Sequence, residues 1–205
     1  HQKALETFSK LQQPKRFSSD PLSFVLIDYY LEKDEIKHTR LFLHLEKNTL
    51  IVAVPEKSAY YQELFQSISK DFLDEKGERD ITHLLYNFLE TDTRDTYDVL
   101  TKTEEKIIKI EESLLNSTSN EGVGDITKQK RFLYKMARRL WSNAKMIFLV
   151  KKGLAPVRVE AERLAMFDDV YDTFMHQIDI ATSQREMLSD SLQIYSTNLN
   201  NKLTE

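Results

Sequence analysis

Six residues near the C-terminus, Asp169, Asp172, His176, Asp179, Glu186 and Asp190, recur at steps of three, four or seven, and Asp168 stands beside the first. On an α-helix such steps return to one face, so these residues would form a single acidic stripe. Gathered carboxylate oxygens suit a hard divalent cation, which needs several oxygen ligands. The same stripe would serve as the solvated face of a long helix, the favoured expectation from the residues alone. No compact calcium-loop motif decides between the two. A second stripe, Lys128, Arg131, Lys135, Arg138 and Lys145, is basic. It suits an anionic partner or, as the favoured expectation, pairing with Glu104, Glu105, Glu111 and Glu112 of the preceding helix.

Other chemistry finds little support. His1, His38, His44, His83 and His176 are scattered, with no HExxH or other close ligand pair. Gly122-Val-Gly124 has no strand before it, no third glycine and no following Lys-Ser/Thr, so it reads as a turn and not a phosphate loop. No nucleophile–base arrangement can be read, and the absence of cysteine removes thiolate chemistry and disulfides. The expectation is a protein that is not an enzyme.

The elements that would position the stripes follow from periodicity. Phe24-Val-Leu-Ile-Asp-Tyr-Tyr30 reads as a strand. Thr39–Leu45 and Thr49–Val54 flank the polar turn Glu46-Lys-Asn48 and read as a hairpin ended by Pro55. A helix over about 57–73 places Tyr61, Leu64, Phe65, Ile68 and Phe72 on one face. Asp80 can cap the next, whose stripe runs from Ile81 to Leu114. Asn116–Gly124 reads as a turn, and a helix from Asp125 to about Lys152 completes a helical hairpin. After Pro156, Leu164, Tyr171, Ile178, Arg185, Leu192 and Leu199 fall seven apart, with Phe167, Phe174, Ala181, Leu188, Tyr195 and Lys202 at a second heptad position. Ten of these twelve are apolar, which implies a seam. A helix over 157–205 would span roughly 70 Å at 1.5 Å per residue, so the seam should require another chain or another domain. The divisions expected are an α/β part over 1–76, the hairpin over 77–156 and the long stalk over 157–205.

Composition agrees with a predominantly helical α/β chain. In 205 residues there are only four glycines and four prolines, where ordinary usage gives roughly 25 together. Lys and Arg number 29 against 33 Asp and Glu, a net charge of −4 that argues weakly against nucleic acid. The longest apolar runs fall far short of the roughly 20 residues of a membrane span, so the chain by itself reads as soluble.

The order of several motifs resembles the cytoplasmic part of the CorA family of divalent-cation channels and transporters. They are Ala4-Leu-Glu6 with Gln12-Gln-Pro-Lys15, then Phe24-Val-Leu, then Leu84-Leu-Tyr86 with Glu90. Lys130-Arg131, Arg138-Arg139 and Trp141 follow, then Phe167-Asp-Asp-Val-Tyr-Asp172, and finally Tyr195 with Asn201-Lys202 and Glu205. The resemblance implies a homopentamer on the cytoplasmic side of the cell (inner) membrane, each long helix continuing into a membrane span that this chain lacks. It also implies early strands missing before His1, and no nucleic-acid or small-molecule partner. A soluble coiled-coil interaction or scaffold protein is the alternative.

The resemblance further implies regulatory metal between protomers: Mg²⁺, with Co²⁺, Ni²⁺ and Zn²⁺ as alternatives. Glu6, Glu90 and Asp169 match family ligand positions. Thr7 stands where the family usually has Asp, Asp168 replaces an Arg, and Thr173 replaces a His. Asp168 and Asp172 join the expected metal set as added carboxylates of the same stripe.

Overall fold

The computed structural model describes residues 22–46, 49–54, 58–74, 80–116, 121–154, 159 and 161–204. Three strands, β1 (Leu22–Glu32), β2 (Glu35–Glu46) and β3 (Thr49–Ala53), form an antiparallel sheet in the order β1-β2-β3. Four helices follow: α1 (Ala59–Asp74), α2 (Ile81–Asn116), α3 (Glu121–Lys151) and α4 (Leu164–Thr204), the last entered through a short 3₁₀ turn at Ala161–Arg163. The expected boundaries near 76 and 156 fall in stretches outside the described residues.

Alternation sets the sheet. Cross-strand partners share a face, so Asp28 and Tyr30 of β1 lie on the same face as Leu41, Leu43 and Leu45 of β2. Those leucines are buried, and Leu50 and Val52 of β3, paired with Leu45 and Leu43, extend the apolar face. The β1–β2 turn uses Lys33 and Asp34 at φ of 50° and 66°. A two-residue hairpin turn needs left-handed residues to match strand twist. Asp34 tolerates this, and its carboxylate is held 2.7 Å from the Lys102 ammonium of α2.

Local chemistry marks the helix ends. Asp80 accepts hydrogen bonds from the backbone N–H of Thr82 (2.9 Å) and of His83 (3.0 Å), capping α2. Burial alone would raise the Asp80 carboxyl; hydrogen bonds from Thr82 and His83, with Arg163 beside it, leave it below its usual range. Arg163 pairs with Asp80 and so ties the start of α4 to the start of α2. At the other end of α3, Gly153 takes φ 65°, and the N–H groups of Gly153 and Leu154 donate to Val150 and Leu149 carbonyls. This is the left-handed helix stop that glycine permits.

One sequence expectation is corrected here and another is narrowed. Helix α3 begins at Glu121, inside the expected Asn116–Gly124 turn. A Cβ on Gly122 would sit 2.6 Å from Leu114 Cδ2, so this glycine lets α2 and α3 approach closely. The α4 seam, expected to need another chain or another domain, is covered by the helical hairpin of the same chain. Phe167, Phe174, Ala181, Leu188 and Tyr195, every seventh residue, are buried. Helix α4 lies against both legs of the hairpin, and each leg touches α4 more than it touches the other. The Gln177 amide donates to the Thr93 carbonyl (2.6 Å) and Gln184 to Leu100 (3.1 Å). Both pairs step by seven on both helices, so α2 and α4 run parallel in register. With 41 residues, α4 is about 60 Å long.

Where sheet and helices meet lies a buried charge cluster. Arg139 Nη2 of α3 stands 3.0 Å from Asp28 Oδ1 of β1 and 3.0 Å from Asp92 Oδ1 of α2, and all three side chains are buried. The Tyr61 hydroxyl of α1 donates to Asp28 Oδ2 at 2.5 Å, and the guanidinium lies 4.8 Å from the Tyr29 ring centroid. The Tyr60 hydroxyl donates to Asp95. Burial first, and then the Asp28 charge, raise the Asp92 carboxyl well above the usual range despite Arg139. Burial likewise raises Asp95, Tyr60 and Tyr61. One cation thus faces two carboxyls, and the folded state keeps a proton on Asp92 that the unfolded chain releases near pH 4. That stability is fully present below pH 4 and is lost as pH rises through the folded value. Asp92→Asn, which keeps the protonated shape, should flatten the pH dependence of the thermal midpoint and raise the midpoint at pH 8. Arg139→Met strands two buried carboxyls and should cost about 3–5 kcal/mol in denaturant unfolding.

Candidate functional site

Helix periodicity separates the acidic residues that composition groups together. Consecutive residues on a helix point about 100° apart, so Asp168 and Asp169 face different neighbours. Asp168 pairs with Lys151 at the end of α3, and Lys151 Nζ also lies 4.9 Å from the Tyr171 ring centroid. Asp169 points about 100° away from Asp168 and is exposed. Its backbone carbonyl accepts from the Thr173 hydroxyl at 2.8 Å, leaving its exposed carboxylate outside that bond. Asp172 and His176 are exposed, and the His176 ring lies 6.2 Å from that of Tyr97.

Glu90 lies on α2, four residues after Tyr86. The parallel packing of α2 and α4 brings Glu90 and Asp169 near one group, the Tyr86 phenol. Burial, followed by the charges of Glu90 and Asp169, holds that phenol above its usual range. Tyr86 itself is seated edge-on against Phe167, 6.4 Å between centroids. Glu90 also forms an exposed i, i+4 pair with Arg94 at 3.0 Å, and its backbone carbonyl accepts from Thr93.

Of the expected ligands, then, Glu90 and Asp169 flank one phenol, Asp168 is engaged by a lysine, and Asp172 stands apart on the exposed face. Glu6, with Thr7, lies outside the described residues. Among the described residues no group of three or more acidic or histidine side chains is placed to hold an ion together. The donors present are hard carboxylate oxygens, which suits Mg²⁺ in kind but not in number for a site within one chain. Tyr86, Arg94 and Lys151 were not singled out by sequence. The Glu90–Arg94 spacing was a usable signal, whereas Lys151 meets Asp168 only through the fold.

The expected pairing of the basic stripe with the preceding helix is also corrected. Lys128 pairs within its own helix, with Asp125 at 3.0 Å. Among the described residues no ion pair joins Arg131, Lys135, Arg138 or Lys145 to Glu104, Glu105, Glu111 or Glu112. Helix α4 spaces the two legs apart, Lys102 takes Glu105, and the Ser191 hydroxyl donates to Glu111.

If Glu90 and Asp169 act on Tyr86 as described, Glu90→Gln and Asp169→Asn should each lower its pKa part of the way toward the ordinary value, the burial contribution remaining. Absorbance titration of the phenolate, taken as a difference against Tyr86→Phe, reads this directly.

Comparison with known proteins places this geometry in a family. The sequence profile of the family described as CorA-like Mg²⁺ transporter protein matches residues 4–205. The cobalt/magnesium transport protein CorA of Methanocaldococcus jannaschii is 27% identical over 173 residues, 83% of this chain and 54% of the relative. That of Thermotoga maritima is 24% identical over 200 residues, covering 95% of this chain and 56% of the relative. The chain therefore spans about half the length of these curated relatives. The solved soluble domain of the Methanocaldococcus jannaschii CorA superposes with a TM-score of 0.74 at 24% identity, over 90% of this chain and 73% of that one. Among the described residues no helix is long and apolar enough to cross a membrane. With the profile matching nearly its whole length, this chain belongs to the CorA family.

Proposed function

We propose that this chain is the cytosolic metal-sensing and gating part of a CorA-like divalent-cation channel or transporter, with Mg²⁺ as transported and regulatory ion. Co²⁺ is the alternative suggested by the relatives' description as cobalt/magnesium transport proteins. The observation that carries the reading is that Glu90 and Asp169, carboxylates of two different helices in parallel register, both act by charge on one phenol, Tyr86. Two carboxylates and water hold a hard cation loosely. A regulatory site built on them needs oxygens from a neighbouring copy, and Glu6 is the family-matched candidate. This favours metal binding between protomers of a homopentamer.

Charge supplies the mechanism. Carboxylates collected at an interface repel one another, by about 1 kcal/mol for a unit pair at 4 Å in water and about 4 kcal/mol at an effective dielectric near 20. Mg²⁺ cancels that repulsion and stabilises the symmetric, closed assembly. When cytosolic Mg²⁺ falls, the protomers separate, the long helices shift, and the pore opens; the ion acts by its differential affinity for two states. The soluble-scaffold alternative rested on an α4 seam in need of a partner, and α2 and α3 already cover the buried positions of that seam.

Calorimetric titration with Mg²⁺ tests the site. Glu90→Gln and Asp169→Asn should each weaken binding about tenfold or more, since each 1.4 kcal/mol is a factor of ten, and Glu6→Gln should do the same. Asp168→Asn should leave binding nearly unchanged because Lys151 already neutralises that carboxylate. Equal losses at Asp168 and Asp169 would point to a diffuse acidic surface and sink the proposed site.

A further inference from the structure

Helix α3 carries a heptad on its outer side. Tyr134, Trp141 and Phe148 are seven apart and 54%, 53% and 45% exposed. Arg131, Arg138, Lys145 and Lys152 keep the same interval beside them, so this ridge is both aromatic and cationic. Between α3 and α4 it borders an open groove of about 400 Å³, whose far wall is Tyr171. Three large aromatic side chains in one line, flanked by cations that find no pair in the preceding helix, mark a contact surface.

The matching surface is on the same chain. Helix α4 carries Ile180, Met187 and Ile194, again seven apart, with Met187 39% and Ile194 57% exposed. Asp172, Asp179 and Glu186 run beside them, exposed and at the same interval. One surface is aromatic and positive, the other aliphatic and negative, and their repeats coincide. Tyr171 and Ile180 are nine residues apart, which puts them on opposite flanks of α4, about half a turn round. A copy can therefore give its groove to one neighbour and its aliphatic ridge to the next, the head-to-tail arrangement that closes a ring.

We propose that the Tyr134–Trp141 ridge of one copy, with the groove beside it, receives the Ile180–Met187 flank of α4 from a second copy. This rests on the reading of the chain as part of an assembly of like copies. The register follows from the antiparallel packing of α3 on α4: Lys151 meets Asp168 and Tyr171, so Trp141 lies level with Ile180, and Tyr134 with Met187. A ring whose axis runs along α4 keeps each residue at its own height and sets those pairs against each other across the contact. Arg138 and Lys145 then fall among Asp172, Asp179 and Glu186 of the second copy.

The chain has no cysteine, so the test is clean. Tyr134→Cys and Met187→Cys are made separately in the 205-residue chain, mixed at high protein concentration and oxidised, with light scattering giving the assembled mass and circular dichroism the fold. The mixture should form a disulfide-linked pair that neither variant forms alone. Adding Arg138→Glu with Lys145→Glu should return the yield to that of the single variants, and Asp179→Lys with Glu186→Lys in the other chain should restore it. Assembly without the mixed disulfide overturns this interface and leaves the assembly reading standing. A folded chain that stays monomeric overturns both, and leaves the groove to a different acidic partner.

Discussion

A single guanidinium fixes how the sheet meets the helices. Arg139 reaches from α3 to Asp28 on β1 and Asp92 on α2, and Tyr61 brings α1 to the same carboxylate through its hydroxyl. Desolvating these groups is expensive, and an apolar replacement of the whole set often matches or exceeds such a cluster in stability. What the cluster supplies is geometry: a charge buried without its partner is penalised heavily, so other ways of laying the sheet on the helices are excluded. Burial pushes the surplus carboxyl, Asp92, toward its neutral form, while Asp28 meets both Arg139 and Tyr61.

The remaining alignment is done by amides and an ion pair. Apolar seams tolerate sliding by a heptad, because every seventh residue looks alike. Gln177 and Gln184 hold α4 to α2 by donating to backbone carbonyls of Thr93 and Leu100, but such carbonyls recur along α2 and permit the same slide. Arg163 on Asp80 fixes the register at the start of both helices. Asp169 and Glu90 both act on the Tyr86 phenol in this register. The candidate site is therefore a consequence of polar pairing some distance away from it.

Much of this was legible in the residues. The Phe167 heptad named the buried face of α4 correctly, because a helix seam repeats locally and needs no knowledge of its partner. What covers that seam was not legible, since the answer lies in two other helices. Gly122 read as part of a turn, and only the proximity of Leu114 shows why a glycine belongs within a helix there. Asp28 sat in an apolar strand, and Arg139 in a basic pair, with no signal that they meet across 111 residues. Lys33 and Asp34 adopt left-handed φ without a glycine to announce it. The family motifs led to Glu90 and Asp169 where periodicity alone favoured a solvated face.

The acidic stripe of α4 illustrates why composition overstates a site. Its residues share one broad face, but 100° per residue distributes them over three surroundings. Asp168 lies beside the end of α3 and is neutralised by Lys151. Asp169 lies beside α2, where Tyr86 and Glu90 offer no cation of their own and Arg94 binds Glu90 alone. Asp172, Asp179 and Glu186 point outward with no cation of the described chain beside them. Only the second position brings negative charge from two different elements to bear on one group, the Tyr86 phenol. The outward acids are spread along an exposed helix face, so an extended surface of opposite charge satisfies them better than a point ion does. One stripe can thus serve both demands, an ion where two helices converge and a charged partner surface where α4 stands alone.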